Sequence, residues 1–281
     1  MIATRFAPSP TGRLHLGHAF SAVLGHAWAR EHGGRFLLRI EDLDPTRSRP
    51  EFVDAIVEDL HWLGIEWDAP PFVQSQRSGA YNDALERLQS KGLAYPCFCT
   101  RADIAAALEA PHGPVACYPG TCRNLPDGPE RRTSEPHSWR LDSHKALAVA
   151  GLPAWSEIDG RQFHSRCDDF DDVILARKDA PAAYHLACVV DDAASGVTLV
   201  TRAADLRPST PIQRLLQILL GLPETAYFHH PLVAHANGRR LAKRDLAPTL
   251  AAIRGKSVDG HALAADLLAG KLPLGFAFTD A

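Results

Sequence analysis

Apolar side chains set the reading frame of the first hundred residues. Thr4 to Ala7 is a short run with strand character, followed by the loop Pro8-Ser9-Pro10-Thr11-Gly12. From Leu14 to about His32 apolar residues recur at Leu16, Ala19, Phe20, Val23, Leu24 and Ala27, and Gly33-Gly34 ends the pattern. That spacing predicts a helix with one buried face. Arg35–Ile40 (RFLLRI) is then nearly continuous in apolar residues, as a strand buried on both faces would be. Strand, loop, helix and strand in this order predict a βαβ unit and a parallel sheet. Two further helices are expected at Glu51–Leu63 and Ala80–Lys91.

From Cys97 to about Arg177 the pattern breaks. Prolines and glycines crowd the stretch (Pro111, Gly113, Pro114, Pro119, Gly120, Pro126, Gly128, Pro129), and strands such as Ser138–Leu141 and Asp172–Ala176 are short. An inserted α+β module pinned by a metal is expected here. α/β character returns at Tyr184–Val190 and Val197–Thr201, with a helix at Pro211–Leu220. The tail from Pro223 carries a basic loop and weak helical segments.

Composition narrows the function classes. With 30 Lys and Arg against 33 Asp and Glu, the net charge is -3, which excludes a generic polyanion binder; contact with a nucleic acid would need local basic patches. No apolar run approaches a membrane span, and MIATRFAPSP lacks the basic-then-apolar layout of a signal peptide, so no membrane partner and a cytoplasmic location are expected. A monomer is expected. Of the six cysteines, Cys97, Cys99, Cys117 and Cys122 share one stretch, which suits metal ligation better than disulfides. Spacing suggests Cys97, Cys99, Cys122 and one of Cys117 or Tyr118 as ligands. Cys167 and Cys188 stand apart and read as buried or incidental.

Two segments carry chemistry. His15-Leu16-Gly17-His18 opens the first helix, where unpaired N–H groups and the positive dipole end suit a triphosphate. Gly17 would let a nucleotide approach the backbone, and the imidazoles can donate to phosphate oxygens. Downstream, Gly238-Arg239-Arg240-Leu241-Ala242-Lys243-Arg244 sets four cations in a glycine-containing loop, suited to a pyrophosphate leaving group with Lys243 as its principal contact.

Taken in order, Arg5–Gly12, His15–His18, Arg39-Ile40-Glu41-Asp42, Tyr184–Asp192, Val200–Leu206 and Arg240–Arg244 resemble the class I glutamyl-tRNA synthetases along nearly the whole chain. The last segment stands where that family has Lys-Met-Ser-Lys-Ser and keeps only the central lysine, Lys243. A complete synthetase of this kind continues into anticodon-reading helical domains. At 281 residues the chain is more similar to the truncated paralogues, the glutamyl-Q tRNA(Asp) synthetases, which attach glutamate to the queuosine base of tRNA(Asp).

The resemblance implies a Rossmann-like catalytic sheet: 1–95 as its first half, 96–183 as the zinc-binding module, 184–222 as its second half and 223–281 as the tail with the signature loop. It implies a glutamate pocket at Arg5, Phe6, Ala7, Pro8, Ser9, Glu41, Tyr184 and Arg202, in which Arg5 or Arg202 pairs with the side-chain carboxylate and Glu41 accepts from the ammonium group. Glutaminyl enzymes have Asp-Asp where this chain has Glu41-Asp42, which favours glutamate. ATP would be bound at His15, Gly17, His18 and Lys243, with Mg2+ on its phosphates, and His15, His18 and Lys243 would act in catalysis. The family pattern sets a tyrosine four residues before the last cysteine, giving a structural Zn2+ held by Cys97, Cys99, Tyr118 and Cys122. A compact synthetase charging tRNA(Glu), a nucleotidylyltransferase and a catalytically dead RNA-binding module are the competing expectations.

Overall fold

The computed structural model of the chain describes residues 1–100, 102–104, 118–125, 129–239, 241 and 248–279. β1 (Ala3–Phe6) is followed by helix α1 (Leu16–Glu31) and β2 (Arg35–Ile40), then α2 (Pro50–Trp62), the short β3 (Phe72–Val73) and α3 (Ser78–Ser90). β2 pairs in parallel with both β1 and β3. Apart from the two-residue β3, which the apolar pattern does not predict, these boundaries lie within two residues of the predicted ones, because each of those elements is long and regular enough to be read locally.

The middle of the chain forms β4 (Ala94–Cys97), α4 (Pro129–Ser134), β5 (Ser138–Leu141), α5 (Ser143–Ala150), the hairpin β6 (Ala154–Ser156) and β7 (Gln162–His164), and β8 (Ile174–Ala176). β4, β5 and β8 make an antiparallel sheet in that order. Asp172, fully buried, accepts from Tyr95, Ser143 and Arg123 and ties this sheet to α5. Leu141 and Leu175 share one apolar cluster with Tyr81 and Leu88 of α3.

The parallel layer resumes with α6 (Tyr184–Ser195), β9 (Leu199–Ala203), α7 (Thr210–Leu220) and β10 (Ala226–His230), with β9 parallel to β10. The two parallel ribbons meet at β1 and β9. There the Thr198 amide donates to the Ala3 carbonyl (2.9 Å), and the Thr198 hydroxyl accepts from the Ala3 amide (3.0 Å). The spatial order is therefore β3-β2-β1-β9-β10. α1 lies close on this layer: a Cβ at Gly25 would stand 2.8 Å from Thr201 Oγ1, and the Thr4 hydroxyl donates to the Gly25 carbonyl at 2.7 Å.

The tail holds β11 (Leu232–His235), α8 (Leu250–Arg254), α9 (Gly260–Leu268) and β12 (Phe276–Thr279). β12 returns antiparallel to β11, a strand the sequence reading did not assign. Four residues with two alternating phenylalanines give too short a pattern to identify. Their burial comes from distant partners, such as the Phe20 ring 4.8 Å from Phe278. Leu250, Leu263 and Leu267 join the core beneath α1, so the tail is packed rather than appended.

Candidate active site

A cavity of about 570 Å³ opens at the carboxyl ends of β1, β2, β9 and β10. From β1 the chain winds outward through β2 to β3, and from β9 it winds the other way to β10. Clefts in open parallel sheets form where the winding reverses, and this one lies there. Arg5, Phe6, Ala7, Pro8, Ser9, His15, Gly17, His18, Glu41, Tyr184 and Arg202 all line it.

One end is built on the start of α1. The His15 backbone N–H donates to His18 Nδ1 (3.1 Å) and the Gly17 N–H donates to His15 Nδ1 (3.1 Å), a reciprocal cap of the kind usually made by hydroxyl and carboxyl side chains. Both Nδ1 atoms are thereby acceptors, so in each neutral ring the proton sits on Nε2. The ring centroids are 3.7 Å apart. A Cβ at Gly17 would come within 3.1 Å of the His15 ring, tight enough that the ring making the cap would have to shift. Nearby, Ser21 Oγ lies 2.8 Å from His230 Nε2.

The opposite end is a set of buried charges. Arg5 donates to Asp192 through Nε (3.0 Å) and to the Thr201 carbonyl through Nη1 (3.2 Å). Arg39 donates to Asp192 (2.5 Å) and to Glu41 (3.1 Å). Arg202 gives Nε–H to His229 Nε2 (3.1 Å), and its two terminal nitrogens donate to Gln213 (2.7 Å) and Thr210 (2.8 Å). A guanidinium has five N–H groups, so these bonds leave Arg202 one on each terminal nitrogen. Burial raises the pKa of Glu41 despite its arginine neighbours. For Asp192 burial acts in the same direction, but Arg39 and Arg5 outweigh it and the pKa is lowered.

The loop after β1 is fastened to the strand beside it. The Glu41 amide donates to the Pro8 carbonyl (3.0 Å) and the Arg49 amide to the Pro10 carbonyl (3.0 Å), which fixes Ala7 to Ser9 along the cleft wall. Tyr184, at the first turn of α6, is 36% exposed and belongs to that wall rather than to the core.

Lys243 lies outside the described residues, as do Arg240, Ala242 and Arg244. Leu241 lines the cleft. Downstream, the Leu250 amide donates to the Leu14 carbonyl (2.9 Å) and Thr249 bridges His15, so the loop's return joins the start of α1.

Cys97, Cys99 and Cys122 form a separate group whose sulfurs lie within 4.8 Å of one another. The Tyr118 hydroxyl stands 3.3 Å from Cys97 Sγ and 3.4 Å from Cys99 Sγ. Cys117 lies outside the described residues. A tetrahedral ion bound at about 2.3 Å holds its sulfurs about 3.8 Å apart, so three thiolates and a phenol oxygen in this arrangement fit zinc. Burial raises the Cys99 thiol to about 11, and a dication bound there would displace that proton. Arg140 stacks 3.8 Å over the Tyr118 ring and donates to the Asp172 carbonyl; it is a buried support of the cluster, not a surface cation.

Sequence reasoning missed Arg39, Asp192, Cys188 and His230. A charge inside the apolar strand RFLLRI and an acidic doublet inside the apolar helix were the available signals, since buried charges are paired. Cys188, read as buried or incidental, is buried and lies in the cleft wall with its thiol 3.3 Å from Arg39 Nη2. Burial pushes that thiol up to about 12.

Residues 1–266 match the family described as tRNA synthetases class I (E and Q), catalytic domain. The chain is 47% identical over 266 residues to the glutamyl-Q tRNA(Asp) synthetase of Rhodobacter capsulatus, covering 90% of this chain and 95% of that one. It is 49% identical over 253 residues to the enzyme of the same name from Nocardia farcinica, covering 89% and 78%. The crystal structure of glutamate-tRNA synthetase from Elizabethkingia anophelis superposes with a TM-score of 0.75 at 30% identity, covering 87% of this chain. The present chain spans about half of that synthetase, 53% of its length.

Proposed function

The chain belongs to the class I tRNA synthetases of the glutamate and glutamine type, and from this we infer that it condenses L-glutamate with ATP to glutamyl-adenylate and passes the glutamyl group to the queuosine base of tRNA(Asp). The observation that carries the amino-acid assignment is the charge of the pocket. The cleft is lined by Arg5, Arg47 and Arg202 against Glu41 and Asp205, three cations against two anions, and behind them Arg39 pairs with Asp192. The surplus positive charge complements glutamate, whose net charge is -1, and is not matched by glutamine. Arg5 or Arg202 would pair with the side-chain carboxylate, and Glu41 would accept from the ammonium. One charge-assisted hydrogen bond is worth about 1.5–3 kcal/mol, or about 10- to 150-fold in discrimination, and an unpaired buried arginine adds to the penalty against glutamine.

The first step needs no general base, because an α-carboxylate is ionised near pH 7. It attacks the α-phosphate in line, and the protein's part is positioning and charge stabilisation. His15 and His18, each with Nε2 protonated, would donate to phosphate oxygens at the positive end of α1; Gly17 keeps the backbone open there, and Lys243 would hold the departing pyrophosphate. Mg2+ would accompany the ATP phosphates. Cys97, Cys99, Tyr118 and Cys122 would bind a structural Zn2+, and none of the four lines the cleft. In this reading the site is built on 1–95 and 184–222 together with β10 of 223–281, which also brings the signature loop, and the zinc module is 96–183. The reading takes the protein as a cytoplasmic monomer.

The acceptor assignment is supported by relatives at 42–49% identity that bear the name glutamyl-Q tRNA(Asp) synthetase. Glutamate-dependent exchange of labelled pyrophosphate into ATP without tRNA tests the first half. Labelled glutamate offered to queuosine-containing tRNA(Asp) and to tRNA(Glu) tests the second. An alkali-labile 3′ ester on tRNA(Glu) would refute it.

A further inference from the structure

Arg202 is oriented by a chain of contacts that begins outside the parallel layer. Glu157 follows β6, and its backbone runs beside Tyr227 of β10, where the Ile158 amide donates to the Tyr227 carbonyl (2.9 Å). Its carboxylate is buried. One oxygen lies 2.5 Å from His229 Nδ1, and the other accepts from the His229 backbone amide at 3.2 Å. His229 in turn is registered directly opposite Arg202 across β9 and β10. A carboxylate can only accept, so Nδ1 carries the proton, and Nε2 is left as the acceptor for the Arg202 Nε–H. The other tautomer, or the protonated ring, would turn one N–H against another.

We propose that Glu157 and His229 are positioning residues for the amino-acid pocket: the carboxylate fixes the imidazole, and the imidazole fixes the plane of Arg202 so that its remaining N–H groups meet the substrate's side-chain carboxylate. This rests on the preceding assignment of Arg202 to that pocket. It makes the β6–β7 hairpin of the middle module a working part of glutamate selection. Gln213 and Thr210 also hold Arg202, and Thr210 Oγ1 lies 3.3 Å from His229 Nε2, but both are neutral; of the three acceptors His229 alone is backed by an ionised partner.

The test is glutamate-dependent pyrophosphate exchange by the parent, Glu157→Ala, Glu157→Gln, His229→Ala and the Ala–Ala double variant, with thermal melting of each. Groups that orient metal-ligating side chains are worth about 10- to 100-fold, and a similar scale is expected for groups that orient a substrate-binding arginine. Glu157→Ala and His229→Ala are expected to raise the glutamate KM about tenfold or more, with the ATP KM and kcat within about threefold. Glu157→Gln falls between, since its amide oxygen still accepts from Nδ1 while its NH2 meets the His229 amide. The double variant is expected to match His229→Ala within about twofold, because both residues act through one arginine. An unchanged glutamate KM, multiplying effects, or parallel loss of both KM values, kcat and melting temperature overturns the proposal. If Glu157→Ala does not fold, Glu157→Gln decides by the same criteria. No exchange by the parent overturns the functional reading and this proposal with it. Exchange by the parent with an unmoved glutamate KM overturns this proposal alone.

Discussion

Asp59 offers a quantitative test of how the tail is held. It lies on α2, fully buried, facing α8, and Arg254 Nη1 approaches Oδ1 to 3.3 Å. Neither carboxylate oxygen has a hydrogen bond among the described residues. Burial raises its pKa from 3.8 to about 6, with Arg254 opposing the rise only in part. At 1.36 kcal/mol per pKa unit, the folded state loses about 3 kcal/mol when this carboxyl ionises with the chain at pH 7. The sign is that of a raised acid: the stability is fully present below 3.8 and is lost as pH rises through about 6. Asp59→Asn keeps the shape and removes the titration. It is expected to be about 3 kcal/mol more stable than the parent at pH 7, about half that at pH 5, and nearly equal at pH 4. Urea unfolding followed by tryptophan fluorescence at the three pH values measures the gap. A variant no more stable at pH 7, or a gap that does not shrink on acidification, would refute the reasoning. Because Asp59 is absent from the cleft, exchange activity at neutral pH should persist.

Asp192→Asn leaves Arg5 and Arg39 buried without their shared anion, and a loss of about 3–5 kcal/mol is expected in the same denaturation assay. Since the Asp192 pKa is lowered, its own contribution is present above the ordinary carboxylate range and disappears as pH falls through the lowered value. Protein purified without chelators should contain about one zinc per chain, and Cys97→Ser or Cys122→Ser should lose it; metal-free parent protein would sink the zinc assignment. Lys243→Ala is expected to lower glutamate-dependent exchange by about 100-fold or more with little change in melting temperature, the size seen when a transition-state contact is removed.

The parallel layer was legible because its signals are local. A continuous apolar strand and a helix with one apolar face need only their own residues to be recognised, and β1, α1 and β2 followed. The charged floor of the cleft was legible only in part. Arg39 and Asp192 are 153 residues apart, so the sequence shows two charges in apolar surroundings but not that they meet. The same distance problem hid the supports of Arg202, because Glu157 sits 72 residues from His229 in a stretch whose strands are three residues long. The tail misled for a different reason: weak helical propensity in 248–279 was read correctly as helices, while β12 exists only because β11 offers it an edge.

The acidic doublet on α6 has a mechanical side. Consecutive helical residues point about 100° apart, and here both directions are occupied: Asp191 receives Gln74, Arg77 and Tyr81 from the α3 side, while Asp192 receives Arg5 and Arg39 from the sheet. The helix is keyed like a shaft with two splines, and turning it would unseat five polar partners at once. Tyr184 and Cys188, one turn apart on the same helix, therefore present a wall that cannot roll to accommodate a different amino acid. A change of substrate on this scaffold would have to come by replacing side chains along that wall, one residue at a time, and not by readjusting the helix that carries them.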